Sequence, residues 1–181
     1  DNPVQSSYPP SRVFKVIQKN HGDDKAKEYL RRSREALFAF NQNIADKEVM
    51  VKIVNELGLD GEHIVTESEQ TTGKQLLNED FQLTAQLGVR GFPTIVMVNE
   101  QNQGVKVVGA RSLNDYVNGL KQVLDTDDLQ PKQQPKLSDL LNEEKLLFSK
   151  EIEVMYDLEA QEVRDYVEKQ LSSDEYEINE I

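Results

Sequence analysis

Pro93 divides this chain. It follows Leu87-Gly88-Val89-Arg90-Gly91-Phe92 and precedes the apolar, β-branched run Thr94-Ile95-Val96-Met97-Val98. A residue without a backbone N–H can open a buried strand, or stand in the turn before it, but cannot lie inside one. Gly88 is placed to end an amphipathic helix, and the run after Pro93 has the length and composition of a buried strand. The chain therefore has to change from helix to strand within about six residues, and every other segment is read against that change.

Before the change, the spacing predicts only helix and turn. Pro9 and Pro10 suit the start of a first helix with Val13, Phe14, Val16 and Ile17 on one face, ending near His21-Gly22. Asp23 or Asp24 is the expected cap of a second helix, with Ala26, Tyr29, Leu30, Ser33, Leu37 and Phe40 in a stripe and Arg31, Arg32 and Arg34 away from it. Asp46 caps a third, carrying Val49, Met50, Ile53, Val54 and Leu57 and stopped by Gly58. Asp60 to Ser68 reads as a short helical turn. A longer helix from about Thr72 to Leu87 is expected to bury Leu76, Leu77, Phe81, Thr84 and Leu87.

After it, Ile95 to Val98 and Val105 to Val108 read as antiparallel strands joined by the polar stretch 99–104, with Gly109 ending the second. Ser112 followed by Asp115 predicts a capped helix carrying Leu113, Tyr116, Val117, Leu120, Val123 and Leu124. Residues 126–136, with Pro131 and Pro135, are nearly devoid of apolar side chains and read as a linker. Beyond it, two or three short helical patterns run to Leu171, with Ser149 and Asp157 as expected caps.

Charge narrows the partners. The chain carries −12 over 181 residues, and the stretch 137–181 holds 14 acidic against 4 basic residues, a net −10. The segment 149–169 has the spacing of a DNA-reading helix-turn-helix, but Glu159, Glu162, Asp165 and Glu168 would be repelled by phosphates. Nucleic acid and anionic membrane surfaces are excluded as expected partners, and a basic protein surface suits the tail. With no long apolar run and no leader pattern in the residues given, a soluble chain of one domain plus an appendage is expected. The absence of cysteine removes disulfides and thiol chemistry from these residues.

Few side chains suggest chemistry. His21 closes a helix and His63 lies in a polar turn, neither beside the partners a triad or metal site requires. The pairs Asp23-Asp24, Asp127-Asp128 and Glu143-Glu144 follow no calcium-loop pattern. Arg31, Arg32 and Arg34 form a local basic patch whose plainer reading is the wet side of a helix. No catalytic residue, metal ligand or cofactor site is expected.

The passage Val89-x-Gly91-x-Pro93-Thr94, between a helix and a strand-turn-strand-helix, resembles the cis-proline turn of the thioredoxin superfamily. The order of elements is similar to the second half of a DsbA-like fold, in which several helices are inserted between the two halves of the thioredoxin motif. Segments from Asn2-Pro3 to Tyr8, from Gly104 to Gly109, at Pro135-Lys136-Leu137 and from Ser149 to Asp157 extend the resemblance to the SpxH/YjbH family of Spx-degradation adapters of low-GC Gram-positive bacteria. The resemblance implies an α/β fold: residues 1–87 as helical insertion and following core helix, 88–125 as the C-terminal half of the core, 126–136 as linker and 137–181 as an acidic helical appendage. It also implies that the N-terminal strand-helix-strand half is missing from this chain, so that an upstream segment or another chain completes the sheet. Phe92–Pro93 should be cis, and Arg90, Gly91, Phe92, Pro93 and Thr94 should form the turn that meets a peptide. The implied function is a cytoplasmic, non-enzymatic adapter that binds the regulator Spx and promotes its degradation by the ClpXP protease. A DsbA-family thiol oxidoreductase or isomerase with an upstream Cys-x-x-Cys is the alternative reading at this point.

Overall fold

The prolines start the first helix where their missing N–H groups are harmless. The computed structural model describes residues 3–179, and its first element, α1 (Tyr8–His21), has proline at the first helical positions. A single residue, Gly22, separates it from α2 (Asp23–Phe38). Its φ of +88° is readily adopted only by glycine, and its N–H donates to the Gln18 carbonyl. That tight joint corrects the expected cap: Gly22 takes the N-cap position, and Asp23 and Asp24 fall in the first turn of α2. There the Asp23 carboxylate accepts from the Gln18 amide at 2.9 Å and still faces the positive end of the helix. Phe40 lies beyond the end of α2 and is exposed, another departure from the expected stripe.

Asp46 caps α3 (Lys47–Glu56) by accepting from the Glu48 N–H at 2.9 Å. The expected short turn after it is a nine-residue helix, α4 (Gly61–Glu69). The cause is a second cap, since Asp60 accepts from the His63 N–H at 3.0 Å, together with the buried stripe Ile64, Val65 and Ser68. α5 (Thr71–Gln86) follows almost without a connection. Val13, Val16, Ile17, Tyr29, Ile53, Val54 and Ile64 pack into one core shared by α1 to α4, with Leu76 of α5 against it.

Two strands, β1 (Thr94–Val98) and β2 (Gly104–Val108), pair antiparallel with Ile95 opposite Val107 and Met97 opposite Val105. α6 (Leu113–Leu124) lies on that face through Gly119, where an added Cβ would stand 3.4 Å from the Val105 and Val107 side chains. Gly119 and Val123 are the buried residues of α6, whereas Leu113, Leu120 and Leu124 of the expected stripe are exposed. A two-stranded sheet is too narrow to cover them. The same correction applies to Phe81 and Leu87, which are exposed. Among the described residues α5 packs on α1 and α4, and the Tyr8 ring of α1, 5.3 Å from that of Phe81, covers Phe81 only in part.

Ser112 caps α6 as expected. Its N–H and hydroxyl both donate to Asp115 Oδ2, at 3.0 and 2.8 Å, and the Asp115 N–H donates back to the hydroxyl. These bonds, the hydroxyl first and the backbone second, hold the Asp115 carboxyl below its ordinary value, with Arg111 adding to them. Because the folded value is depressed, the cap is complete above the unfolded carboxyl value of about 3.9 and is lost as pH falls through the folded one. A carboxyl-carbon NMR titration should place the Asp115 midpoint below about 3.9, and Ser112→Ala should move it upward. An unmoved midpoint would break the assignment.

The chain divides into two compact units, Asp1–Val123 and Leu124–Ile181. The second holds α7 (Leu137–Glu144), α8 (Ser149–Tyr156), a 3-10 turn (Ala160–Glu162) and α9 (Val163–Gln170) around Leu137, Ile152, Val163, Val167 and Leu171. Its caps differ from expectation. Phe148 is the N-cap of α8, its N–H held by the Glu151 carboxylate at 2.9 Å, and Asp157 closes the same helix in the left-handed conformation. The stretch before α7 is fastened to α8: the Gln134 amide donates to the Met155 carbonyl and the Tyr156 hydroxyl to the Pro135 carbonyl, both at 2.9 Å.

Candidate functional site

Helix α5 stops because Gly88 turns left-handed, with φ +62°, and its N–H donates to the Ala85 carbonyl. A cation completes that ending. Lys106, in the middle of β2, donates to the Leu87 and Gly88 carbonyls at 2.9 and 3.2 Å, where the helix end is negative. A lone lysine in an otherwise apolar strand was the available signal for this contact, and spacing alone does not connect it to a helix end.

From this anchored end the chain runs through Arg90, Gly91 and Phe92 to a cis peptide bond at Phe92–Pro93. The Thr94 hydroxyl donates to the Gly91 carbonyl at 2.7 Å and closes the turn on one side. On the other side the Gly109 N–H donates to the Pro93 carbonyl at 2.8 Å, extending the β1–β2 ladder to the proline. The expected turn residues are thus one continuous feature. Arg90 and Pro93 are exposed, and Phe92 shows 88% of its surface to solvent. The Phe92 ring is thus uncovered on a turn fastened at both ends.

The remaining candidates do not assemble. His21 ends α1 and His63 lies in the first turn of α4, both exposed. Among the described residues no group of three His, Cys, Asp or Glu side chains could hold a metal ion. Arg31 and Arg32 correct the wet-side reading of the basic patch. Their guanidinium groups reach Glu35 Oε1 at 2.9 Å and Oε2 at 2.5 Å, and they enclose a buried carboxylate. Spacing of three and four residues carried that signal. No helix among the described residues is long and apolar enough to cross a membrane.

A cis-proline turn, placed between a helix and a strand-turn-strand-helix, is the geometry of the thioredoxin class. The family model described as thioredoxin matches residues 1–118, and the chain belongs to that family. Over more of its length it is similar to proteins named ClpXP adapter protein SpxH. The one from Bacillus subtilis (strain 168) is 29% identical over 171 residues, 93% of this chain and 56% of that protein. Those of Halalkalibacterium halodurans and Shouchella clausii are 28% and 29% identical, over 93% and 74% of this chain and 55% and 45% of theirs. The resemblance read from the sequence segments therefore holds, and the alternative of a thiol oxidoreductase is not favoured. The chain spans about half the length of the curated relatives it matches.

Proposed function

We propose that this chain works as a cytoplasmic adapter that binds an Spx-like regulator and promotes its degradation by ClpXP, by binding and not by catalysis. The observation that carries the reading is similarity along 93% of the chain to proteins named as ClpXP adapters. In this reading Phe92 and Arg90 of the cis-proline turn meet the partner peptide, and the acidic tail steers a basic surface towards it. The test is reconstituted degradation of an Spx-like regulator by ClpXP, followed by gel densitometry. The chain should shorten the regulator's half-life, and Phe92→Asp should weaken regulator binding about tenfold or more, the range for a central aromatic anchor. Unchanged degradation with and without the chain would overturn the adapter reading. Unchanged affinity in Phe92→Asp would move the contact elsewhere.

The reading includes a completed sheet, with strands supplied by an upstream segment or another chain. Its support is the two-stranded sheet with Ile95, Val98 and Val108 left exposed, because an isolated hairpin is marginal in water and an apolar edge invites pairing. Hydrogen exchange should show β1 amides poorly protected in the 181-residue chain and protected once the missing strands are supplied. Equal protection in both would mean that the hairpin needs no further strand.

A further inference from the structure

The hairpin that holds the exit of the cis-proline turn also holds its entry. Along β2 the side chains alternate between two faces. Those of Val105 and Val107 lie close to Gly119 of α6, so Lys106 between them projects from the opposite face. There its Nζ meets the C-terminal end of α5 and donates to the Leu87 and Gly88 carbonyls at 2.9 and 3.2 Å. Carbonyls at a helix end have no partner within the helix and sit at its negative pole, so an ammonium group donates to them with the help of its charge. A Cβ added at Gly88 would stand 3.5 Å from Nζ, a measure of how closely the cation is seated on the turned end.

The result is a closed ring. The backbone leaves Gly88, runs through Arg90 and Phe92 to Pro93, enters β1 and reaches Val96, which is opposite Lys106 in register. The Lys106 side chain then returns to the Gly88 carbonyl. Within the ring the Val89 N–H donates to the Thr84 carbonyl at 3.1 Å, and the Gly91 carbonyl accepts from the Thr94 hydroxyl at 2.7 Å. Because α5 itself packs on α1 and α4, Lys106 fastens the turn to the helical layer. We propose that Lys106 is the positioning residue of the cis-proline turn: it fixes the exposed Arg90 and Phe92 against the end of α5 and thereby sets how tightly a partner peptide is held. The inference rests on the reading that this turn meets a peptide. Lys106 acts through the turn, by ordering it in advance. A segment that must be ordered when the partner arrives loses conformational entropy, which lowers affinity by about fivefold.

The test compares Lys106→Met, which removes both hydrogen bonds, with Lys106→Arg, which keeps the charge and the donors. In Lys106→Met the backbone order parameters of Arg90, Gly91 and Phe92 should fall from about 0.85 to about 0.6 or below, and the Val89 amide should exchange at least tenfold faster. The Gly109 amide, bound to the Pro93 carbonyl, should keep its protection and show that the hairpin is intact. Affinity for an Spx-like regulator, measured by calorimetry, should fall about fivefold in Lys106→Met and stay within about twofold of the parent in Lys106→Arg. Adding Lys106→Met to Phe92→Asp should cost little more than Phe92→Asp alone, since both act through one turn. Unchanged order parameters, unchanged affinity beside a weakened Phe92→Asp, or fully additive losses would each overturn the proposal, the last by making Lys106 a contact in its own right. If Phe92→Asp has no effect, the contact reading fails, and the order parameters alone decide whether Lys106 positions the turn.

Discussion

Arg31→Ala combined with Arg32→Ala should destabilise the helical unit by about 3 kcal/mol or more, far beyond what two surface arginines are ordinarily worth. The two guanidinium groups are each 21% exposed, whereas the Glu35 side chain between them is 6% exposed. Taking the arginines away leaves a carboxylate out of water with its charge uncompensated. Taking Glu35 away instead, as Glu35→Gln, leaves two long cations that can turn outward to solvent, and should cost about 1 kcal/mol. The order of these two effects identifies the buried charge. Adding Glu35→Gln to the double variant should restore much of the loss, since the unpaired charge is then gone. Urea midpoints at constant slope measure all three. Glu35→Gln proving as costly as the arginine pair would mean that the network is held from the outside, and the argument from burial would fail.

This cluster also marks what could be read from the residues alone. Arg31, Arg32 and Glu35 have the right spacing for contact, but spacing does not say which member faces inward. Burial depends on what the neighbouring helices leave open. The same limit applies to Phe81, Leu87 and Leu113. Their periodicity marks an apolar face, and a face is legible in one segment, whereas its cover belongs to another. The turn at Pro93 was legible for the opposite reason. A missing N–H, a stopping glycine and a β-branched run are all local, so helix, turn and hairpin could be placed from sequence, and the cis bond followed from family resemblance. Lys106 on the end of α5 requires three dimensions. The length of α4 depends on Asp60 acting as its cap, a role the residue shares with many turn aspartates. Asp23 and Asp24 fall inside α2 because the one-residue joint at Gly22 leaves no room for a cap outside the helix.

Gly73→Ala should destabilise the helical unit by about 3 kcal/mol or more, and the sign of this effect is what makes it informative. Gly73 lies inside α5, where helix propensity alone predicts that alanine stabilises by about 1 kcal/mol. Packing predicts the reverse. A Cβ at this position would stand 2.1 Å from the Ser68 carbonyl oxygen and 2.6 Å from the Ser68 Cα. Those are backbone atoms at the α4–α5 joint, with Gln70 the only residue between the two helices. Ser68 cannot swing away: it is buried, and its hydroxyl donates to the Val65 carbonyl at 2.7 Å. The joint must therefore open, and overpacking against fixed backbone exceeds the usual range of 1–3 kcal/mol for inserted methylenes, reaching about 3 or more. Gly91→Ala is the matched control. A Cβ there meets nothing within 4 Å, its φ is not in the left-handed region, and it lies in the turn before Pro93, so its stability should change by less than about 0.5 kcal/mol. Chemical denaturation of the two variants in parallel measures the contrast. A neutral or stabilised Gly73→Ala would mean that propensity outweighs the close approach of α4 and α5, and that the joint between them is loose enough to take a methyl group.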